Sequence, residues 1–248
     1  MARRRFFVAE IRDGRAEMAG EEARHLAKVL RAQPGQQFEI SDHRAAYLAE
    51  VAETRKDRVV LRVLEPLAEL EARPAITLAA ALIKFDRFEW MVEKATELGV
   101  AAIVPLEAAR SGKGLAQAAR KRLERWRRIA RESSQQSRRL RAPEIRDPAD
   151  FSEALGFPAG YRFFLDEERD APAILDSAPA ALQESDTVAL LTGPEGGWTR
   201  AERGQAGAAG WTAVSVGPYV LRAETAALAA VAVLVNLARR ARKPATID

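Results

Sequence analysis

Beginning at Ile76, short and nearly continuous apolar runs alternate with longer amphipathic stretches. ITLAAALI (76–83), AAIVPL (101–106), YRFFLDE (161–167), TVALLTG (187–193) and WTAVSVG (211–217) read as strands of the buried type. RFEWMVEKATELG (87–99) reads as a helix stopped by Gly99, and ETAALAAVAVLVNLARR (224–240) as a long final helix. Buried strands separated by helices assemble into a parallel sheet with helices on its faces. The expectation for residues 75–248 is therefore an α/β domain.

The first 70 residues have another rhythm. FFVAEI, QQFEISD, AAYLAEVAET and DRVVLRVLE show the alternation and β-branched content of short strands, punctuated by Gly14 and Pro34-Gly35. Between the first two, EEARHLAKVLR puts Ala23, Leu26, Val29 and Leu30 on one helical face. A small β-barrel fits residues 1–70, and the charged stretch from Pro66 to Pro74 reads as a linker.

Composition excludes several chemistries. The chain has no cysteine, so disulfides, thiolate zinc sites and cysteine nucleophiles are out, and two histidines, His25 and His43, build no multi-histidine metal centre. No metal site is expected. The N-terminal MARRRFFVAE lacks the apolar stretch of a signal peptide, and the longest apolar run, Ala226 to Val235, is half a bilayer span. The reading is a cytoplasmic protein with no membrane partner. A net charge of +4 conceals its distribution: residues 1–72 balance 13 basic against 13 acidic side chains, whereas residues 120–141 hold ten basic residues against Glu124 and Glu132. One concentrated basic element on a neutral body points to a polyanion.

Two loops stand out. LTGPEGGW (191–198) follows a buried strand, at the strand end where open α/β sheets bind ligands. Its glycines permit a sharp turn with exposed amides and no Cβ obstruction. A plain turn is the competing reading; a P-loop is excluded because no Gly-Lys-Ser/Thr follows. VGPYVLRAETA (216–226) ends a strand and delivers Arg222, Glu224 and Thr225 at a helix start. Acidic and hydroxyl side chains there suit helix capping as readily as catalysis.

Together these loops resemble the signature loops of the knotted SPOUT methyltransferases, and specifically the RsmE family, which methylates uridine N3 in 16S ribosomal RNA. RHLAKVLR (24–31), EKATELGV (93–100), IVPL (103–106) and ARESSQQSRR (130–139) match in order, so the resemblance spans essentially the whole chain. It implies a PUA-like RNA-binding barrel followed by a SPOUT-type parallel sheet tied in a C-terminal trefoil knot, with S-adenosyl-L-methionine as cofactor. By position it assigns cofactor contacts to Leu165, Thr192, Gly193, Glu195, Gly196, Gly197, Val216, Gly217, Val220, Leu221, Arg222, Thr225 and Ala226. VGPYVLR departs from the more usual LGxRILR, which puts in doubt any role for an arginine at the position of Tyr219. A homodimer packed through the knotted domain is implied as well, and the apolar final helix fits that role.

Methylating N3 requires loss of its proton and stabilisation of negative charge spreading onto the flanking carbonyls. Arg222 suits the second task, and Glu224 either orients Arg222 or takes the proton. For the RNA, Leu123, Trp126 and Ala130 form a buried stripe that leaves Arg122, Arg125, Arg128 and Arg131 outward. Arg138 lies beyond the SSQQS segment, and Arg3, Arg4, Arg5, Arg24, His25 and Arg31 extend the basic surface onto the barrel. His25 fits a structural role equally well. The competing functions are a SPOUT enzyme acting on transfer RNA or a ribose 2′-oxygen, and a non-catalytic RNA-binding factor.

Overall fold

The computed structural model describes residues 4–68, 74–168 and 170–240. Two compact units emerge: Met1–Glu71 with Ser134–Ala142, and Ala72–Ser133 with Pro143–Asp248. Residues 69–73 of the expected linker lie outside the described residues, and 134–142, expected in the larger domain, cluster with the smaller unit.

In the smaller unit, β1 (Arg5–Phe7), β2 (Ile11–Arg12), β3 (Arg15–Ala19), β4 (Gln37–Ser41), β5 (Ala46–Thr54) and β6 (Arg58–Pro66) form one curled sheet, ordered β1-β4-β5-β6-β3-β2. It is an open half-barrel of the PUA-like kind, with β1 and β2 at its edges. Register shifts between Leu48 and Ala49 and between Val51 and Glu53 mark irregularities in β5, a device that sharpens local twist. β3, missing from the sequence reading, alternates clearly: Ala16 and Met18 point into the core beside Phe6, Ile40 and Leu61.

α1 (Gly20–Arg24) widens into a π-helical turn over His25–Val29, where the Leu30 N–H donates to the His25 carbonyl at 3.1 Å. The wider turn rotates the helical face. Ala23 and Leu26 are fully buried, but Val29 and Leu30 are 65% and 40% exposed, so the single apolar face expected over 21–31 is corrected to its first half.

In the larger unit, β7 (Ala75–Ala81), β8 (Ala102–Glu107), β9 (Glu144–Ile145), β10 (Ala149–Asp150), β11 (Tyr161–Leu165), β12 (Thr187–Thr192) and β13 (Thr212–Val214) pair only in parallel. The order is β10-β8-β7-β12-β11-β13, with β9 also beside β8. α2 (Phe85–Leu98), α3 (Leu115–Arg120), α4 (Leu123–Gln136), α5 (Phe151–Leu155), α6 (Ile174–Ser177), α7 (Arg200–Ala208) and α8 (Ala223–Arg240) complete the chain. Gly99 ends α2 with φ 103°, a conformation that glycine adopts without the Cβ penalty.

Alternate residues of each buried strand feed two cores. Leu78 and Leu190 meet Phe88 of α2, Trp126 of α4 and Val231 and Leu234 of α8. Ala79 and Leu191 meet Phe151, Trp198 and Ala206 on the opposite face. The arginine-rich helix, expected over 120–141, ends at Gln136. Among the described residues no helix is long and apolar enough to cross a membrane. Phe88 is fully buried, so Phe88→Ala should lower unfolding free energy by about 3–5 kcal/mol in denaturant titration. An unchanged midpoint would contradict the shared core of α2, α4 and α8.

Candidate active site

Because β12, β11 and β13 are neighbours running in one direction, their carboxyl ends and following loops converge. A cavity of about 1070 Å³ opens there, walled by Leu165, Thr192 and Val214 from the three strand ends and by residues 193–197 and 215–223. Twelve of the thirteen residues assigned as cofactor contacts line it: Leu165, Thr192, Gly193, Glu195, Gly196, Gly197, Val216, Gly217, Val220, Leu221, Arg222 and Ala226. Thr225 stands outside the wall.

The glycine-rich loop is held from behind. Trp198, almost fully buried, stacks on Phe164 with ring centroids 4.6 Å apart and donates its indole N–H to the Leu165 carbonyl at 2.7 Å. Gly193 lies against this ring: a Cβ there would sit 3.0 Å from two indole atoms, so the ring would have to give by a few tenths of an ångström. Arg110 donates to the Gly196 carbonyl at 2.7 Å and Arg203 to that of Trp198 at 2.8 Å. The Gly197 N–H donates to the Pro194 carbonyl at 2.9 Å, closing the turn with φ +66° at Gly197, where a Cβ would also collide with Glu167. A capping box between Thr199 and Glu202 then starts α7.

Charge in the cavity comes largely from residues that the sequence reading did not single out. Asp166, Glu167 and Glu168 follow β11 and line the wall with Glu195. Arg203 gathers the first three, at 2.9, 2.7 and 3.5 Å, and its guanidinium is held protonated still more firmly, chiefly by its hydrogen bonds to Asp166. Arg87 of α2 also lines the wall and pairs with Glu195. Nothing in the local pattern FDRF advertises that role; only the fold brings α2 to the loop.

Arg222 and Glu224, expected to act together, are placed differently. Arg222 is exposed and lines the cavity. Glu224, in the first turn of α8, is 6% exposed and stands outside the wall. Its charged neighbour is Arg87, whose Nε lies 3.9 Å from Glu224 Oε1, while the buried Oε2 has no hydrogen-bond partner among the described residues.

Residues 71–235 match the RNA methyltransferase domain family, and residues 19–64 the RNA methyltransferase PUA domain family. The Bacillus subtilis ribosomal RNA small subunit methyltransferase E is 32% identical over 88% of this chain and 88% of its own length. Its Mycobacterium bovis counterpart is 34% identical over 89% and 87%. The chain belongs to the ribosomal RNA small subunit methyltransferase E family. A solved member, from Neisseria gonorrhoeae and bound to S-adenosyl methionine, is 30% identical with a TM-score of 0.85, covering 96% of this chain and 98% of that one. A Legionella pneumophila putative methyltransferase in complex with the same cofactor is 29% identical with a TM-score of 0.83, over 94% and 97%.

Within this member of the methyltransferase E family, the arginines expected to face RNA differ in burial. Arg5 is buried at 6% exposure; it donates to Glu39 at 3.0 Å and to the Arg138 carbonyl at 2.7 Å, which removes it from the surface. Arg138 is half-buried, with its own guanidinium 3.5 Å from Glu39. His25 is half-buried beside Arg4, at 3.3 Å, and Arg4 also reaches Gln135. Arg24 and Arg31 are exposed, while Arg3 lies outside the described residues. In the larger unit, Arg122 and Arg125 both bind Glu89, at 2.9 and 2.8 Å, holding that carboxyl below its ordinary value of 4.5; Arg122 also covers the Phe85 ring. Leu123, Trp126 and Ala130 are buried, and Arg128 and Arg131 are exposed.

Gly193→Ala should cost about 1–3 kcal/mol by overpacking Trp198. Trp198→Phe should cost a similar amount, about 1–3 kcal/mol, by leaving the Leu165 carbonyl without its donor. Thermal unfolding of both variants checks this, and two wild-type melting curves would refute the tie between loop and strand.

Proposed function

We propose that this chain is a cytoplasmic S-adenosyl-L-methionine-dependent methyltransferase acting on N3 of a uridine in bacterial 16S ribosomal RNA. The observation that carries the reading is the cavity at the carboxyl ends of β11, β12 and β13, in a member of the methyltransferase E family. Its residues fit the cofactor. Gly193, Gly196 and Gly197 keep one wall free of side chains, and Val216, Leu221 and Ala226 give apolar surface for an adenine. Asp166, Glu167, Glu168 and Glu195 oppose a ligand bearing sulfonium and ammonium charges.

When bound, the cofactor supplies a methyl group already activated on sulfur, so the protein's task is positioning and charge. Arg222, at the cavity wall, stabilises the negative charge that develops on the uracil carbonyls as the N3 proton passes to water. Glu224, buried in the same turn, orients the cations of the site rather than meeting solvent. Exposed Arg128 and Arg131 on α4, and Arg24 and Arg31 in the smaller unit, provide phosphate contacts.

The homodimer belongs to the same proposal, as does the trefoil knot. Trp90 of α2 is 48% exposed, and α2 packs against α8, whose Leu228, Ala229, Ala232 and Val233 remain half-buried. That apolar surface suits a second copy. Sedimentation should give a dimer that Trp90→Asp weakens.

Methyl transfer from labelled S-adenosyl-L-methionine to small ribosomal subunits lacking the modification, followed by nucleoside mass spectrometry, should yield 3-methyluridine. A 2′-O-methylated or transfer-RNA product would move the enzyme to another branch, and no cofactor binding would favour a non-catalytic RNA-binding factor. Arg222→Ala should lower turnover by about 100-fold; full activity in both Arg222→Ala and Glu224→Ala would overturn their roles. Removing Arg128 and Arg131 together should reduce the slope of log affinity against log salt by about 0.7–0.9 for each phosphate they neutralise.

A further inference from the structure

We propose that Arg87 is a positioning residue of this site, one guanidinium that locks the glycine-rich loop through Glu195 and fixes the place of the Glu224 carboxylate. The inference rests on the cavity being the cofactor site proposed above, and it concerns a residue outside both signature loops.

Arg87 stands in the first turn of α2, a helix whose Phe88, Met91, Val92 and Ala95 are buried in the core. Its backbone is thereby fixed, while its side chain lines the cavity. From there it reaches two carboxylates on different elements. Glu195 belongs to the loop after β12 and is 44% exposed; Glu224 opens α8 and its side chain is 8% exposed. The two are met by different nitrogens, Glu195 by an Nη and Glu224 by Nε. A guanidinium can hold two acceptors in one plane, whereas an ammonium is a single point charge.

The need for this cation comes from Glu224. A buried carboxylate is costly unless paired or hydrogen-bonded, and Oε2 has no hydrogen-bond partner among the described residues. Arg87 is its charged neighbour at 3.9 Å. Without Arg87 the loop would lose its tie to α2, and an uncompensated negative charge would remain near the place where the uracil must itself become negative. The first effect weakens cofactor binding and the second slows transfer, so the two halves of the proposal separate experimentally.

The test uses the full chain and four variants: Arg87→Ala, Arg87→Lys, Arg87→Glu, and Arg87→Glu with Glu195→Arg. Calorimetry with S-adenosyl-L-methionine reads binding, and single-turnover methylation of small ribosomal subunits reads transfer. Arg87→Ala should weaken binding several-fold and slow transfer on the order of 100-fold, the scale of a misplaced catalytic group. Arg87→Lys should recover part of each. The charge swap should slow exchange of the 193–197 amides relative to Arg87→Glu alone, because the pair across α2 and the loop is rebuilt, yet remain slow in transfer, because a carboxylate on α2 would then face Glu224.

Hydrogen exchange of the 193–197 amides without ligand adds a readout that needs no cofactor, and it should accelerate in Arg87→Ala. Wild-type exchange, binding and transfer in Arg87→Ala would overturn the proposal. A swap whose 193–197 amides exchange no more slowly than those of Arg87→Glu would remove the loop tie, and one that restores full transfer would remove the role toward Glu224. If wild-type protein bound no cofactor, the functional reading would fail while exchange still judged the tie between Arg87 and the loop.

Discussion

A loop built largely of glycine has few side chains with which to hold itself, so its shape must be imposed from outside. Here the imposition comes from the indole of Trp198, anchored on Phe164 and on the Leu165 carbonyl, and from arginines that occupy the loop's outward carbonyls. These side chains give the loop's carbonyls partners from behind without entering the cavity. At Gly193, Gly196 and Gly197 the cavity wall is then left to backbone and hydrogen. That arrangement favours glycine at 193 and 197 for steric reasons: a Cβ at the first would press on the indole ring, and the second has a left-handed φ that side chains rarely adopt.

The parallel sheet makes this possible at a distance from its own core. β12, β11 and β13 lie side by side, so three loops far apart in sequence emerge on one edge. The two faces of the same strands bury α2, α4 and α8 on one side and α5 and α7 on the other, which holds the strand ends in place. Positioning of the kind a methyl transfer demands follows from rigidity of these strand ends rather than from any single reactive side chain.

Much of this was legible in the chain. Buried strands such as 187–192 announce themselves by continuous apolar residues, Gly99 marks a helix end, and the Trp126 stripe follows helical spacing. What escaped has identifiable causes. The π turn at His25–Val29 shifts the face by a fraction of a turn, which counting at a constant 3.6 residues cannot register. Arg5 counts as a surface cation until β1 pairs with β4 and brings Glu39 against it. Residues 134–136 end a helix that begins in the larger unit, and non-local bonds such as Ser41 Oγ–H to the Leu140 carbonyl, at 2.7 Å, draw the segment 134–142 to the smaller one. The cavity's charges, Arg87 and Asp166 to Glu168, lie outside any motif. By contrast the Thr199–Glu202 capping box was visible as T-x-x-E and would have located α7.

We propose that the loops at 193–197 and 216–222, with the end of β11, form the cofactor site in advance of any ligand. Hydrogen exchange with and without S-adenosyl-L-methionine tests it directly. The account predicts added protection at both loops and at residues following Leu165, with little change elsewhere in the sheet. Protection confined to another surface, or none at saturating cofactor, would contradict it.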